Sequence, residues 1–428
     1  MSILFKNVNL TEGYGFDSTV NILVKGDKIA YVGKELPQET ADKVIEGNGN
    51  LVIPGFYNTH CHSAMTLFRG YGDDLPLGRW LNEKIFPAEE RLTDESVYYG
   101  SMVAIAEMIR NGVVSFSDMY FFLDETARAV EESGIKANLS RSIVSFDPEI
   151  DVLNDSRIKE GIDVFDRWHG RANGRIKIDM SLHAEYTNVE KCCRYLAELA
   201  KERSTGLQIH ISETASEHDA CIERHGVTPT AFFDSVGALD VPLTAAHCVW
   251  VSDEDIALMA RKGVSVAHNP VSNLKLGSGI MPFKKMMDAG VNVTLGTDGA
   301  ASNNRLSVLR ELQFATLIHK GNDLDPSVTI AGDMIKVATR NGAIAQGRED
   351  CGEIKVGMKA DMLLVDMSAI NNIPSYSFES AVCYAMTEEN ILMTVCDGNI
   401  LYENHAYTTI DEERLKSEAR RVISHYFD

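Results

Sequence analysis

His60-Cys61-His62 places two imidazoles two residues apart, and in an extended strand residues i and i+2 point to the same side. Both rings can then face one cation while Cys61 faces away. Further along the chain, three more strand-like runs end on His210, His247 and Asp298. Imidazole is the commonest metal ligand. Three imidazoles with one carboxylate around a divalent cation leave room for a water molecule, which is the arrangement of a catalytic rather than a structural centre. The cation's charge would lower the pKa of that water from ~15.7 towards ~7 and generate hydroxide at neutral pH. Hydroxide attack on an sp2 carbon also needs a proton for the leaving side. Glu213, three residues beyond His210, is the candidate shuttle, although a carboxylate there also suits the first turn of a helix.

These side chains need strand ends to carry them. From Val52 onward, short β-rich runs alternate with longer helical patterns: Val52 to His60, Val113 to Asp118, Ile135 to Arg141, Ile176 to His183, Leu207 to Ser212, Val241 to His247, Gly263 to His268 and Val291 to Asp298. Eight such units are the closing number of a (β/α)8 barrel, whose active sites lie at the C-terminal strand ends. Between the runs, Thr93 to Arg110 and Val189 to Arg203 show helical spacing, acidic early and basic late. Short apolar stretches broken by Gly26 and Gly33 fill residues 1–54, and strand texture returns after residue 348 in 352–357, 361–365, 391–396 and 400–402. The pattern predicts an α/β protein. Residues 55–348 form a TIM-type barrel, and residues 1–54 and 349–428 together form a small β-rich domain ending in an amphipathic helix over Asp411 to Tyr426.

Composition narrows the partners. Lys+Arg number 41 against 62 Asp+Glu in 428 residues, a net charge of −21 that excludes a generally basic nucleic-acid binder. With 44% hydrophobic and 24% charged residues, the chain is neither disordered nor collagen-like. No run of 18 apolar residues occurs, and Lys6 interrupts the opening apolar stretch without a cleavage pattern, so a cytoplasmic location away from membranes is expected. The eight cysteines include no C-x-x-C pair and are expected as free thiols. Neither a P-loop nor a G-x-G-x-x-G fingerprint is present.

His60-x-His62, His210, His247 and Gly296-Thr297-Asp298-Gly299, in this order and spacing, resemble the amidohydrolase superfamily. Val52-Ile53-Pro54-Gly55-Phe56 and Gly352-Glu353-Ile354 through Lys359-Ala360-Asp361 are similar to that family's entry to and exit from the barrel. The resemblance covers nearly the whole chain and implies a barrel joined to a β-sandwich built from both chain ends. Members with two metals use a lysine at the end of strand four, where this chain has Leu182-His183-Ala184-Glu185 and its only nearby lysine, Lys177, lies at the wrong end. The resemblance therefore implies one divalent ion, zinc in the first instance, with His60, His62, His210 and Asp298 as ligands. By the same similarity His247 orients the hydroxide, Asp298 accepts its proton and Glu213 protonates a ring nitrogen of the substrate.

Gly296 to Asn304, His268 to Leu276, and the stretch from Met65 through Trp80 to Thr93 resemble the methylthioadenosine/S-adenosylhomocysteine deaminase branch of that superfamily. This implies hydrolytic deamination of S-adenosylhomocysteine, 5'-methylthioadenosine or adenosine. Glu89 would hold the ribose hydroxyls, since a carboxylate accepts well from a vicinal diol, and His183 would contact the nucleoside. Trp80 and Ser302 fall in the stretches that carry the resemblance and are expected against substrate. Arg141 and Arg157 fall where a clamp for an amino-acid carboxylate is expected, and the planar guanidinium suits that task. His268 is a further candidate for the pocket wall. Glu185, where relatives have proline, adds a carboxylate near the pocket. The alternatives are a deaminase of a free aminopurine of the guanine type, an aminotriazine hydrolase, and a catalytically dead barrel kept as a scaffold. A homo-oligomer is compatible with all of them.

Overall fold

Eight parallel strands follow one another around the sheet in chain order: Phe56–Cys61, Val113–Tyr120, Lys136–Arg141, Ile176–Ser181, Leu207–Ile211, Leu243–His247, Ser265–His268 and Asn292–Leu295. The computed structural model describes residues 1–11 and 19–427. Each strand is buried along nearly its whole length, as a parallel sheet covered by helices requires. The first and eighth strands close the barrel largely through side chains. Thr59 Oγ1 lies 2.6 Å from Thr294 Oγ1, Asn58 Nδ2 donates to Thr297 Oγ1 at 2.8 Å, and the Asp298 amide donates to the His60 carbonyl at 3.0 Å. Gly296 permits this approach, because a Cβ there would meet Asn269 Oδ1 at 2.3 Å and His60 Cβ at 2.9 Å.

The first apolar run divides where the sequence suggests one strand. Leu51–Pro54 pairs antiparallel with Met362–Val365 in a second sheet, and the barrel begins only at Phe56. Gly55 makes the break, since a Cβ at that position would meet Val114 Cγ1 at 2.4 Å. The second sheet has nine strands drawn from both chain ends. Its longest strand, Ser2–Leu10, serves two halves: Ile3 to Lys6 pair with Lys43–Glu46, while Asn9 and Leu10 pair with Leu51 and Val52. A register shift between Phe5 and Val8, with Asn7 at φ 53°, turns the strand from one half to the other over a core that includes Ile3, Phe5, Ile22, Met362 and Val395.

Residues 352–357 are not a strand. Gly352 and Gly357 take φ of 83° and 93°, and the segment forms turns that dock on Lys28–Gly33 through Gly357 N–H to Ile29 O. Several helices start on side-chain caps, as where Thr93 and Ser96 form a capping box at Asp94–Arg110. The terminal helix spans Glu412–Phe427. All eight cysteines are buried and free, and among the described residues no helix is long and apolar enough to cross a membrane.

Candidate active site

The barrel's C-terminal end brings together every residue on which the sequence reading placed the metal chemistry. Ligand atoms of His60, His62 and His210 lie within 4.8 Å of one another, as do those of His60, His247 and Asp298. The rings are aimed by the atoms behind them. His62 Nδ1 sits 2.7 Å from Met119 O, His210 Nδ1 2.7 Å from His183 O, and His247 Nδ1 2.8 Å from Asn273 Oδ1. A carbonyl oxygen only accepts, so each Nδ1 carries a hydrogen and Nε2 is left as the ring atom aimed at the cluster. Two of the residues need unusual backbone to point inward, His247 at φ 72° and Asp298 at φ 58°, the kind of strain that concentrates at working sites.

The cluster is short of partners from within the protein. His60 Nε2 is buried, has no hydrogen-bond partner, and lies 3.6 Å from Asp298 Oδ1, while His62 Nε2 lies 3.2 Å from the same oxygen. Burial would raise the Asp298 pKa, yet the His60 and His62 rings beside its carboxylate, the His62 ring positively charged, hold it well below the usual carboxylate range. Burial lowers His60 to about 4 and pushes His210 well down, which leaves them neutral. His62 is the exception: burial opposes its protonation, but Asp298 outweighs this and raises it to about 9. Neutral imidazoles with free Nε2 atoms, an orphaned buried nitrogen and an ionised carboxylate fit a divalent cation as donor set.

Glu213 is buried beside this cluster. Its Oε1 accepts from Ser278 Oγ at 3.1 Å and its Oε2 lies 3.8 Å from His247 Nε2. Burial raises its pKa, with His247 opposing and Asp298 adding to the shift. Glu217, one helical turn on, braces the loop by accepting from the amides of Ser212 at 3.0 Å and Glu213 at 2.8 Å.

A cavity of about 560 Å³ opens over these groups, and its wall includes Trp80, Glu89, Arg141, Arg157, His183 and Glu213. Burial lifts Glu89 to about 7, partly offset by the Tyr120 hydroxyl. His183 lies just past strand four, its Nδ1 3.1 Å from Thr187 Oγ1, and burial among neighbouring imidazoles pushes it down to about 3. The two arginines are already engaged. Arg141 donates to Glu160 at 2.7 Å and to Ser142 O at 2.6 Å, and Arg157 grips Asp155 with Nε at 3.0 Å and Nη2 at 2.6 Å.

Three expected wall residues stand elsewhere. Ser302 is buried behind Asp298, donating to its Oδ2 at 2.7 Å beside Ser272 at 2.6 Å, and so orients the aspartate instead of meeting the cavity. His268 packs on Phe283 with its Nε2 3.0 Å from His319 Nε2, because strand seven turns its last side chain into the helical layer. Glu185 is turned away from the cavity and held by Arg224 and by His225 Nε2 at 2.8 Å.

The sequence reading missed Ser272, Asn273, Ser278 and Glu217, which touch the site only through its named residues. Ser272 and Asn273 lay within the stretch His268 to Leu276, and Glu217 follows Glu213 by four residues, in the first turn of the helix that begins at Ala215, from where it reaches back to the Glu213 amide. Nothing in the sequence marked Ser278.

The Amidohydrolase family model matches residues 51–401. A 5-methylthioadenosine/S-adenosylhomocysteine deaminase of Dictyoglomus turgidum is 41% identical over 422 residues, covering 98% of each chain. A 5'-deoxyadenosine deaminase of Methanosarcina mazei is 44% identical over 401 residues, covering 94% of this chain and 92% of its own. Among solved structures, an adenosine deaminase from Xanthomonas campestris with bound zinc superposes with a TM-score of 0.91 at 30% identity, over 99% of this chain and 98% of its own.

Proposed function

The chain belongs to the amidohydrolase family, and on that premise we propose that it hydrolyses the exocyclic amine of an adenosine derivative, consuming water and releasing the inosine derivative and ammonia. The observation that carries this reading is the pairing of Glu213, buried at the metal cluster with its pKa raised by that burial, with a second carboxyl, Glu89, on the wall of the same cavity. One would serve the base and the other the ribose. We take residues 55–348 as the catalytic barrel and residues 1–54 and 349–428 as the β-sandwich that supports it.

His60, His62, His210 and Asp298 would hold one zinc ion. When bound, such an ion acidifies a water molecule enough to make it a nucleophile at neutral pH. Burial raises the Glu213 pKa and so favours the protonated form, which would deliver its proton to a ring nitrogen of the base and make the carbon bearing the amine electrophilic. His247, fixed by Asn273, orients the attacking oxygen through Nε2. Asp298 is ionised and takes the proton that the attacking water loses. Glu89 accepts from the ribose hydroxyls, and Trp80 and His183 flank the nucleoside. A free aminopurine or an aminotriazine would leave Glu89 without a diol to bind.

An ultraviolet assay of zinc-loaded protein tests this reading against adenosine, 5'-methylthioadenosine, S-adenosylhomocysteine, guanine and an aminotriazine. Conversion of the adenine chromophore to hypoxanthine is expected. Turnover of guanine or the triazine alone would refute the nucleoside reading.

A further inference from the structure

The end of the second barrel strand orders the cavity. Met119 O meets His62, the Tyr120 hydroxyl meets Glu89, and the Phe121 ring lies 4.8 Å from the Arg141 guanidinium. The reacting base, the ribose and the substituent on its 5' carbon therefore fall in that sequence, and the substituent reaches the two arginines.

Those arginines do not offer open forks. Arg157 spends Nε and Nη2 on both oxygens of Asp155, and its Nη1 donates to Val144 O. Asp155 cannot swing aside cheaply, because it also caps the helix Ser156–Trp168 by accepting from the amides of Arg157 at 3.0 Å and Ile158 at 3.3 Å. Arg141 donates through Nε to one oxygen of Glu160 at 2.7 Å, four residues into that helix, and through Nη1 to Ser142 O at 2.6 Å. Two cations and two anions leave no net positive charge to attract a carboxylate. Neither Asp155 nor Glu160 reaches the cavity wall, where an ammonium group could meet it. What the wall does present beside the guanidinium groups is Phe121, Val144 and Phe146, the last 69% exposed over the mouth.

We propose that Asp155 and Glu160 are specificity-determining residues. By occupying the arginine forks they make the far end of the cavity favour small, uncharged 5' substituents, such as a methyl or methylthio group, over a substituent ending in a carboxylate. The inference rests on the deamination reading and deepens it. A substrate carboxylate would have to displace an anchored intramolecular partner, whereas a methyl or methylthio group needs only the apolar wall.

The test compares kcat/KM of the zinc-loaded enzyme for 5'-deoxyadenosine, 5'-methylthioadenosine and S-adenosylhomocysteine. The native enzyme is expected to favour the first two by roughly tenfold or more, the size of one charged hydrogen bond. Asp155→Asn, which retains a good helix cap, and Glu160→Gln should each raise the ratio of S-adenosylhomocysteine to methylthioadenosine activity roughly tenfold, through a lower KM for the former. Equal or better use of S-adenosylhomocysteine by the native enzyme overturns the inference without any variant. So does a ratio that stays level or falls in both variants, since a fall would mean that the acids hold the substrate's ammonium. Failure to turn over any of the three nucleosides, and adenosine as well, overturns the deamination reading itself.

Discussion

Each end of the barrel holds a buried cluster of charges, and the two are built in opposite ways. At the N-terminal end, Lys136 opens the third strand and reaches across to the second sheet, pairing with Asp361 and, at 2.8 Å, with Asp397. Asp361 also accepts from Tyr57 Oη at 2.7 Å and from the Asp397 amide at 2.8 Å. At the C-terminal end, His60 Nε2 has no partner and five potential ligands crowd together. The lower cluster satisfies its own charges and ties two sheets together. The upper one is completed only by something from outside the chain, and that difference separates a structural polar core from a reactive one.

The largest effect should come from emptying the upper cluster. Prolonged chelation is expected to remove one zinc per chain and abolish deamination, with recovery on adding zinc back. Two metals per chain by elemental analysis, or full activity after complete chelation, would contradict the assignment. Next in size is Glu213→Gln, which should keep its metal and lose on the order of 10²–10⁴-fold in kcat, the usual contribution of a general acid-base group. Near-normal turnover of the metal-loaded variant would remove Glu213 from the mechanism.

The lower cluster should respond in stability instead. Burial opposes the Lys136 charge, but Asp361 and Asp397 outweigh it and hold its pKa up, while the Lys136 charge overcomes burial to hold Asp361 down. Lys136→Met leaves the buried Asp361 carboxylate without its cation, with Asp397 keeping only Lys359 at 3.7 Å. It should destabilise the fold by about 3–5 kcal/mol while kcat per folded molecule stays close to native. Thermal melting with active-site titration separates the two quantities, and a large fall in kcat without a fall in melting temperature would couple the two ends after all.

The contrast also explains what could be read in advance. His60, His62, His210, His247, Glu213 and Asp298 were legible because chemistry restricts their types and strand ends restrict their positions. The barrel was legible because eight short β-rich runs alternate with longer helical patterns. The break at Gly55 was hidden by the apolar residues on both sides of it, and 352–357 mimicked a strand because alternation carries no record of the positive φ at its glycines. Ser302 was misplaced for a different reason: a serine near a site can face substrate or support a ligand, and only the fold of 299–304 turns it onto Asp298. The pairing of Lys136 with Asp361 spans 225 residues and left no local trace.

The smallest expected effect lies between the two clusters in character, because Glu89 is a charge that binding completes. Its carboxyl, lifted to about 7 by burial, keeps its proton below that pH and loses it above. Only the ionised form offers both oxygens as free acceptors to a ribose diol. KM for the nucleoside should therefore rise as pH falls below about 7, by up to roughly tenfold per pH unit if only the ionised form binds. Glu89→Gln presents one acceptor at every pH, so its KM should be raised at pH 8 and should show a flatter dependence below 7. An unchanged KM for Glu89→Gln at pH 8 would take the ribose away from Glu89. A raised KM that still climbs steeply below pH 7 would assign the titration to another group on the cavity wall and leave Glu89 as a neutral partner of the sugar.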